Sequence, residues 1–424
     1  MNNTNRTTAN KAELFANANF RWLLGGGVIS MLGDQFTLIA LPWLVLRLTG
    51  DSLALGTVLA VMSLPRAIFI LVGGALADRY SPRQVLMLSK LVNMALLGLL
   101  AAGLVFGVVS MPAIYAMALL LGLSSAFGFP AGSAVLPRSL SPTLLQGANG
   151  VMMSARQLSM LLGPLMAGGM IAFFGDASLE GLALAFGFDA ASFAFSAWTL
   201  SRVRLNEVTT PAVKPPLLRS IADAMLAMWN DKLMRTLCLY VAAVSIFVGG
   251  PIQVALPVLA STQLSGGAAA LGLLLTGHGL GMLAGMMLGG LKKHWRLGSL
   301  GGTLLLIDGM AGLLFLPFGH VHAAWQGVAL LAPLGAMAGF VQVAFMTWIQ
   351  QRMPQAMLGR AMSVFMFIVM GLAPLAAAAA GAALRVLTPA TLFTVCGLAL
   401  LAIVTLGALL TPMRAIQDVV PAER

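Results

Sequence analysis

Charge and cysteine are scarce in this chain. Only 9% of its 424 residues are charged, whereas 59% are hydrophobic, and the mean hydropathy is +0.94. Soluble domains carry about 25% charged residues, so most of this surface must face something other than water. The 2 cysteines both lie in apolar stretches, which excludes a disulfide framework and a cysteine-based metal cluster. The composition therefore predicts a protein whose solvent is lipid.

Long apolar runs are what the sequence does contain. About twelve of them are long enough to cross a bilayer, which takes ~20 residues. If the N-terminus lies inside, most of the 24 lysines and arginines fall in inner loops and tails, and only Arg47 and Arg385 fall in outer loops. Cytoplasmic loops show this bias, and a wrong number of spans would scramble it. The charges predict an integral membrane protein with both termini in the cytoplasm.

The two halves of the chain repeat each other. Leu41-Pro42-Trp43-Leu44 matches Leu256-Pro257-Val258-Leu259, and Gly73-Gly74 matches Gly289-Gly290 at nearly the same offset. Matches in this order indicate a duplicated six-helix unit in parallel orientation. We therefore expect an all-α membrane protein with 12 transmembrane helices in two pseudo-symmetric six-helix bundles. The predicted parts are an N-terminal tail (1–20), an N-terminal bundle (21–203), a cytoplasmic linker with an amphipathic helix (204–233), a C-terminal bundle (234–412) and a C-terminal tail (413–424).

The inner loop between the second and third spans resembles the signature loop of the major facilitator superfamily. The matching residues are Gly74, Leu76, Asp78, Arg79 and Arg83, whereas Ser81-Pro82 stands where the family usually has Gly-Arg. Glycine lets helices approach closely, and Asp78 with the arginines can form a charged latch between helix ends. The resemblance implies the major facilitator fold, alternating access, and a gating role for this loop.

The fifth span adds a resemblance to exporters. Gly163, Pro164, Gly168 and Gly169 are similar to the antiporter motif of exporters, with one residue more. With the Asp189–Phe193 run, they resemble the third drug:proton antiporter group, which includes macrolide efflux pumps and the enterobactin exporter. This implies a bacterial inner-membrane protein that exports an amphipathic drug or siderophore, driven by the proton gradient without another cofactor. Import or facilitated passage of a nutrient is the alternative, because the charges do not reveal direction.

Ionisable residues at bilayer depth are costly and therefore mark candidate functional sites. Counted at ~1.5 Å per residue, five of them lie about halfway across a ~30 Å core: Asp34, Arg66, Arg156, Asp189 and Asp308. The repeat places uncharged residues opposite Asp34, Arg66 and Arg156 in the second half. We therefore predict that these three form a cluster for proton coupling, substrate recognition or both. A fixed bridge between Asp34 and one arginine is the alternative.

Other polar residues within the spans are secondary candidates. Spans six and nine pack outside the central cavity in this superfamily, so Asp189 and Asp308 are expected to serve mainly as hydrogen-bonding residues. His278 either titrates near neutral pH or is a hydrogen-bonded histidine of the bundle. Gln253 and Gln342 are candidates to face the cavity. Lys90 lies only about 8 Å deep by the same count, so we expect it to snorkel to the inner surface.

The remaining function classes find little support in the sequence. No nucleophile–base pair, appended catalytic domain or metal-ligand set is present, and no G-x-x-x-x-G-K-[ST] phosphate loop occurs, which disfavours an enzyme. The basic residues follow membrane topology, so nucleic acid is not an expected partner. The expected partners are a small-molecule substrate, protons and the lipid bilayer, and we expect a monomer.

Overall fold

The computed structural model describes residues 13–79, 81–175, 179–205, 226, 229–291, 299–352 and 371–416. The helices of the first half are α1 Ala18–Thr49, α2 Ser52–Arg79, α3 Pro82–Val105, α4 Met111–Ser139, α5 Pro142–Phe173 and α6 Leu179–Ser201. Those of the second half are α7 Lys232–Thr262, α8 Gly267–Leu291, α9 Leu300–Phe315, α10 Ala324–Arg352, α11 Gly371–Ala383 and α12 Pro389–Leu410.

These helices confirm an all-α membrane fold. Within the described residues, nine helices are long and apolar enough to cross a membrane. Each predicted span coincides with one of the twelve helices, although only the second part of the eleventh span is described. Residues 353–370, most of the predicted linker and the chain ends lie outside the described residues. The membrane class is therefore established, and the count of twelve stays a prediction.

Local sequence signals set several of the helix starts. The helices α3, α5 and α12 each begin at a proline that follows a serine or threonine: Ser81, Ser141 and Thr388. Proline suits the first helical position because its missing N–H would have no helical partner there. The start of α7 is capped differently. The carboxylate of Asp231 accepts hydrogen bonds from the backbone N–H groups of Leu233 and Met234, at 3.0 and 3.2 Å.

The chain divides into two compact units. Unit 1 contains residues 1–44 and 64–213, and unit 2 contains residues 45–63 and 214–424. The loop between α1 and α2 thus belongs to the same unit as α7–α12. In that loop Asp51 binds Arg385, whose Nη2 lies 2.5 Å from Asp51 Oδ2.

In unit 1, small and polar residues form the seam between α1 and α6. A methyl group added to Gly26 would meet Ser196 and Thr199, and one added to Gly33 would meet Asp189 and Ser192. Small residues allow helix backbones to approach closely in lipid, where the hydrophobic effect does not drive helices together. The seam therefore brings the polar face of α6 directly against α1.

In unit 2, α8 and α10 pack with their backbones in contact. Gly281 and Gly285 of α8 face the main chain of α10, because an added Cβ would lie 2.7 Å from the Ala332 carbonyl carbon and 2.6 Å from that of Ala336. Gly335 and Gly339 of α10 face the α8 main chain in the same manner. The four-residue spacing of these glycines places them along one face of each helix, which makes the pair closely packed over several turns.

The seventh helix is interrupted by a π turn. Lys232–Gly250 is α-helical, Pro251–Ala255 forms the π turn, and Leu256–Thr262 is α-helical again. Pro251 has no N–H to donate to the preceding turn, which accounts for a break in the ladder at this position. The turn displaces Gln253 from the regular helical register. In contrast, α1 continues as a single helix through Pro42.

Candidate functional site: a charged cluster in unit 1

One face of α1 carries four small or polar residues. Ser30, Gly33, Asp34 and Thr37 are spaced three and four apart, so they lie on the same side of the helix. Ser30 and Gly33 are buried, whereas Asp34 is exposed. The helix thus holds a carboxylate at an accessible position and packs the residues around it tightly against its neighbours.

Asp34 lies within electrostatic reach of three cations. Its carboxylate interacts most strongly with Lys90, then with Arg156 and then with Arg66, all of which belong to unit 1. The structure therefore brings the three predicted residues into one cluster and adds a fourth charge that the sequence did not assign to it. Three cations within reach of Asp34 give this carboxylate the charged partners that an ionisable residue halfway along an apolar membrane helix requires.

The position of Lys90 differs from the one that we expected from its depth. Its ammonium lies 3.5 Å from the hydroxyl of Ser30 and 5.6 Å from the centre of the Phe193 ring, so it does not snorkel to the inner surface. Ser30 is one helical turn from Asp34. Counting residues along α3 gives the depth of a side chain but not the side of the helix from which it projects. The interaction of Lys90 with Asp34 and Asp189 was therefore missed.

Asp189 on α6 is buried, with 1% of its surface exposed. Thr37 of α1 donates a hydrogen bond to its Oδ2. The hydroxyl of Ser192 lies 3.0 Å from Oδ1 and 2.7 Å from the backbone carbonyl oxygen of Asp189. The hydrogen-bonding role that we expected from the sequence is thus visible, and Asp189 also interacts electrostatically with Asp34 and Lys90.

The fifth helix supplies Arg156 and part of the packing behind Asp34. The guanidinium carbon of Arg156 lies 5.9 Å from the centre of the Phe129 ring, and Arg156 itself is exposed. Further along α5, Gly163 and Pro164 are buried, and an added Cβ on Gly163 would overlap the side chain of Gln35. Gln35 follows Asp34 in the chain. The glycine of the exporter-like motif therefore sets the contact between α5 and the segment of α1 that carries the carboxylate.

The other predicted residues lie outside this cluster. In unit 2, Tyr240 donates a 2.7 Å hydrogen bond to Asp308 Oδ2, and the His278 ring bonds the backbone of Leu331. His278 Nδ1 is buried and has no partner among the described atoms. Gln253 is half-buried and Gln342 is exposed.

The signature loop and the rest of the exporter-like motif are described only in part. Gly74, Leu76, Asp78 and Arg79 lie in the last turns of α2, and their side chains lie outside what the structure describes. Arg83 is described, and it donates hydrogen bonds to the carbonyl oxygens of Leu200 and Ser201 at the end of α6. Gly168 is buried and Gly169 is exposed on α5. Arg83 thus fastens the start of α3 to α6.

Residues 23–378 match the family model described as Major Facilitator Superfamily. This match extends over most of the chain. The chain belongs to the major facilitator superfamily. It is therefore a transporter and not an enzyme, and it is an integral membrane protein, as the sequence predicted.

Three comparisons show how the chain relates to other members of the superfamily. It is 28% identical to the multidrug efflux pump Tap of Mycolicibacterium fortuitum over 49% of this chain and 51% of that protein. It is 26% identical to the enterobactin exporter EntS of Citrobacter koseri over 80% of this chain and 79% of that protein. A solved bacterial homologue of the iron transporter ferroportin, in an inward-facing state, is 18% identical with a TM-score of 0.69, covering 92% of this chain and 96% of that chain.

The matches differ in how much of each protein they cover. The match to Tap spans about half the length of either protein, and the similarity to the solved structure establishes the fold alone. The resemblance to drug and siderophore exporters is thus supported by relatives that carry those names, at low identity.

Proposed function

We propose that this transporter exports an amphipathic small molecule, a drug or a siderophore, in exchange for protons. The observation that carries the proposal is the exposed Asp34 carboxylate among Lys90, Arg156 and Arg66. Such a group can bind and release a proton, and its interaction with the cations depends on whether that proton is present.

The electrostatics of the cluster explain how protons and cargo can compete. An ionised Asp34 is stabilised by the neighbouring cations, and a proton on Asp34 removes that stabilisation. An ionised Asp34 can therefore hold a cargo that donates hydrogen bonds or carries a positive charge, and a proton on Asp34 displaces that cargo. A cycle that protonates Asp34 on one side of the membrane and deprotonates it on the other would couple the proton gradient to a change in cargo affinity. Alternating access to a site near the membrane midplane supplies that cycle in transporters of this kind.

Export, rather than import, is supported by the relatives and by one structural detail. The matched proteins with assigned names include a multidrug efflux pump and an enterobactin exporter. Gly163 and Pro164 of the exporter-like motif are buried, and Gly163 packs against Gln35 of α1, which follows Asp34 in the chain. We infer that the motif shapes the N-terminal half of an exporter site.

The test uses purified protein in liposomes with an imposed proton gradient. Candidate cargoes are a macrolide, a cationic dye and a catecholate siderophore, and each is measured with and without an uncoupler. Asp34→Asn is expected to abolish gradient-driven transport, because asparagine cannot carry the proton. Glu13→Gln, an exposed acid outside the cluster, is the matched control and should transport normally. Normal gradient-driven transport by Asp34→Asn would overturn the coupling role, and gradient-driven movement in the opposite sense would overturn export.

A further inference from the structure

We propose that Asp34 and Asp189 share a single proton, and that Lys90 pairs with whichever of the two carboxylates lacks it. The proposal rests on the proposed function for its physiological meaning, because it identifies Asp189 and Lys90 as working parts of the same site. Its evidence is the hydrogen-bond geometry around Asp189 and the position of Lys90 between α1 and α6.

The hydrogen bonds around Asp189 are satisfied completely when its Oδ1 carries a proton. Thr37 donates to Oδ2. Ser192 has one hydroxyl hydrogen, and its oxygen lies closer to the Asp189 carbonyl oxygen, at 2.7 Å, than to Oδ1, at 3.0 Å. If Ser192 donates to the carbonyl, a protonated Oδ1 can donate to Ser192. An ionised carboxylate would instead compete with the carbonyl for the same hydrogen.

Because Asp189 is buried, its ionised form is stable only when a cation lies beside it. With 1% of the residue exposed, an ionised side chain without a cation would be expensive. Among the described residues, the charged groups that act on Asp189 are Asp34 from α1 and Lys90 from α3. Arg66 and Arg156 act on Asp34 instead. Lys90 is therefore the cation on which an ionised Asp189 depends.

Lys90 is placed to serve both carboxylates. Its ammonium lies against Ser30, one turn before Asp34 on α1, and over Phe193, one turn after Asp189 on α6. The long, flexible side chain of lysine allows a small movement between two partners. Phe193 supports the ammonium by a cation–π contact while it lies between them.

The exchange conserves both charge and atoms. In one state Asp34 is ionised and paired with Lys90, while Asp189 holds the proton on Oδ1. In the other state the proton has left Asp189 Oδ1 and resides on the Asp34 carboxylate, and Lys90 pairs with the ionised Asp189. The two carboxyl groups and Lys90 are neutral together in both states. Such an arrangement lets a proton pass between the exposed Asp34 and the buried α6 without placing a net charge in the protein interior.

Infrared spectroscopy tests the proposal without a substrate, because a protonated carboxyl has a carbonyl stretch that a carboxylate lacks. Purified wild-type protein in lipid at neutral pH should show a carboxylic-acid band that Asp189→Asn removes. Asp34→Asn should remove the same band, because Lys90 then moves to Asp189 and ionises it. The double variant Asp34→Asn with Lys90→Met should restore the band, because Asp189 has then lost its cation. Asp308→Asn is the control in unit 2 and should leave the Asp34-dependent band in place.

Two outcomes would overturn the proposal: a wild-type spectrum that Asp189→Asn does not change, or an Asp189 band that Asp34→Asn leaves at full intensity. Lys90→Arg, which keeps the charge, should behave as wild type in the same spectra and guards against a folding defect at this position. Failure of the proposed function is a separate result. Normal gradient-driven transport by Asp34→Asn would remove the coupling role, even if the infrared band shows that the two carboxyls share a proton.

Discussion

Gly33 leaves no room for a side chain beside Asp189. A methyl group on Gly33 would lie 2.5 Å from Asp189 Oδ1 and nearer still to the Ser192 hydroxyl. Gly33 thus lets α1 pack directly against the carboxyl of Asp189, to which Thr37 of the same helix donates a hydrogen bond. Asp34 follows directly in the chain, so a shift of α1 at Gly33 would also move Asp34 relative to Asp189.

We therefore predict that Gly33→Ala destabilises the protein by about 1–3 kcal/mol, the usual cost of forcing an extra methyl group into a packed core. It should also lower gradient-driven transport, because α1 must shift away from α6. Gly25→Ala on the same helix meets nothing within 4 Å and should be neutral or slightly stabilising. Thermal unfolding in detergent with a transport assay measures both effects. Equal melting temperatures for the two variants would contradict the packing argument.

A second prediction concerns the close pair α8 and α10. Gly285→Ala should destabilise unit 2, because the new Cβ would lie 2.6 Å from the Ala336 carbonyl carbon, and backbone cannot move aside as a side chain can. We expect a loss of about 1–3 kcal/mol. Gly249→Ala in α7 is the control, since nothing lies within 4 Å of its added methyl group. A Gly285→Ala protein as stable as the control would show that the helices separate at little cost.

Asp231 has two roles that different substitutions separate. It caps α7 and also binds Arg352, with Arg352 Nη2 at 2.9 Å from its Oδ2. Asparagine caps helices as well as aspartate does, so Asp231→Asn should lose the ion pair alone. Asp231→Ala should lose the cap too, at a further cost of about 1 kcal/mol. Thermal unfolding of both variants measures the difference. If Asp231→Asn were as unstable as Asp231→Ala, the cap would contribute nothing.

The Asp51–Arg385 contact should respond to pH and salt. The side-chain hydrogen bond from Arg385 holds the pKa of Asp51 below its usual value. The contact is therefore intact above the unfolded pKa of about 4, and it is lost as pH falls through the lowered folded value. Arg385 is exposed and Asp51 is partly exposed, so salt should weaken their attraction as well. Amide hydrogen exchange of the loops that contain Asp51 and Arg385, measured in the wild type and in Arg385→Ala, detects this loss. Loop exchange that is unchanged by acid, salt and the substitution would contradict the prediction.

Tyr240→Phe tests whether the hydrogen bond to Asp308 serves stability or transport. Tyr240 donates a 2.7 Å hydrogen bond to Asp308 Oδ2, and its removal leaves the carboxyl without this donor. We expect a loss of about 1–3 kcal/mol in stability and normal proton-driven transport, because the pair lies outside the charged cluster. Asp308→Asn should likewise transport normally. Loss of proton coupling in a stable Tyr240→Phe protein would instead place Asp308 in the transport site.

The sequence predicts the depth of a side chain in the membrane better than the side of the helix from which it projects. Hydropathy and the distribution of basic residues predicted where the helices lie. Depth along the helices selected five ionisable residues, and the comparison of the two halves narrowed them to Asp34, Arg66 and Arg156. The same count misplaced Lys90, because the side of α3 from which it projects depends on packing against α1 and α6. Thr37 and Ser192 resemble ordinary hydroxyls of a membrane helix until the partner helix is known. Pro251 was a visible signal for the break in α7, but the sequence alone does not distinguish a π turn from a simple kink.

The direct contact between α8 and α10 also constrains how unit 2 deforms. If one of these helices slid along the other, the main chain at the glycines would collide with carbonyl groups of the partner helix. We therefore expect the two helices to move together as a rigid unit. Bending of unit 2 during a transport cycle would then occur where a helix is less rigid. The widened turn at Pro251–Ala255 is such a place, because its regular ladder is already broken and Gln253 would swing with it.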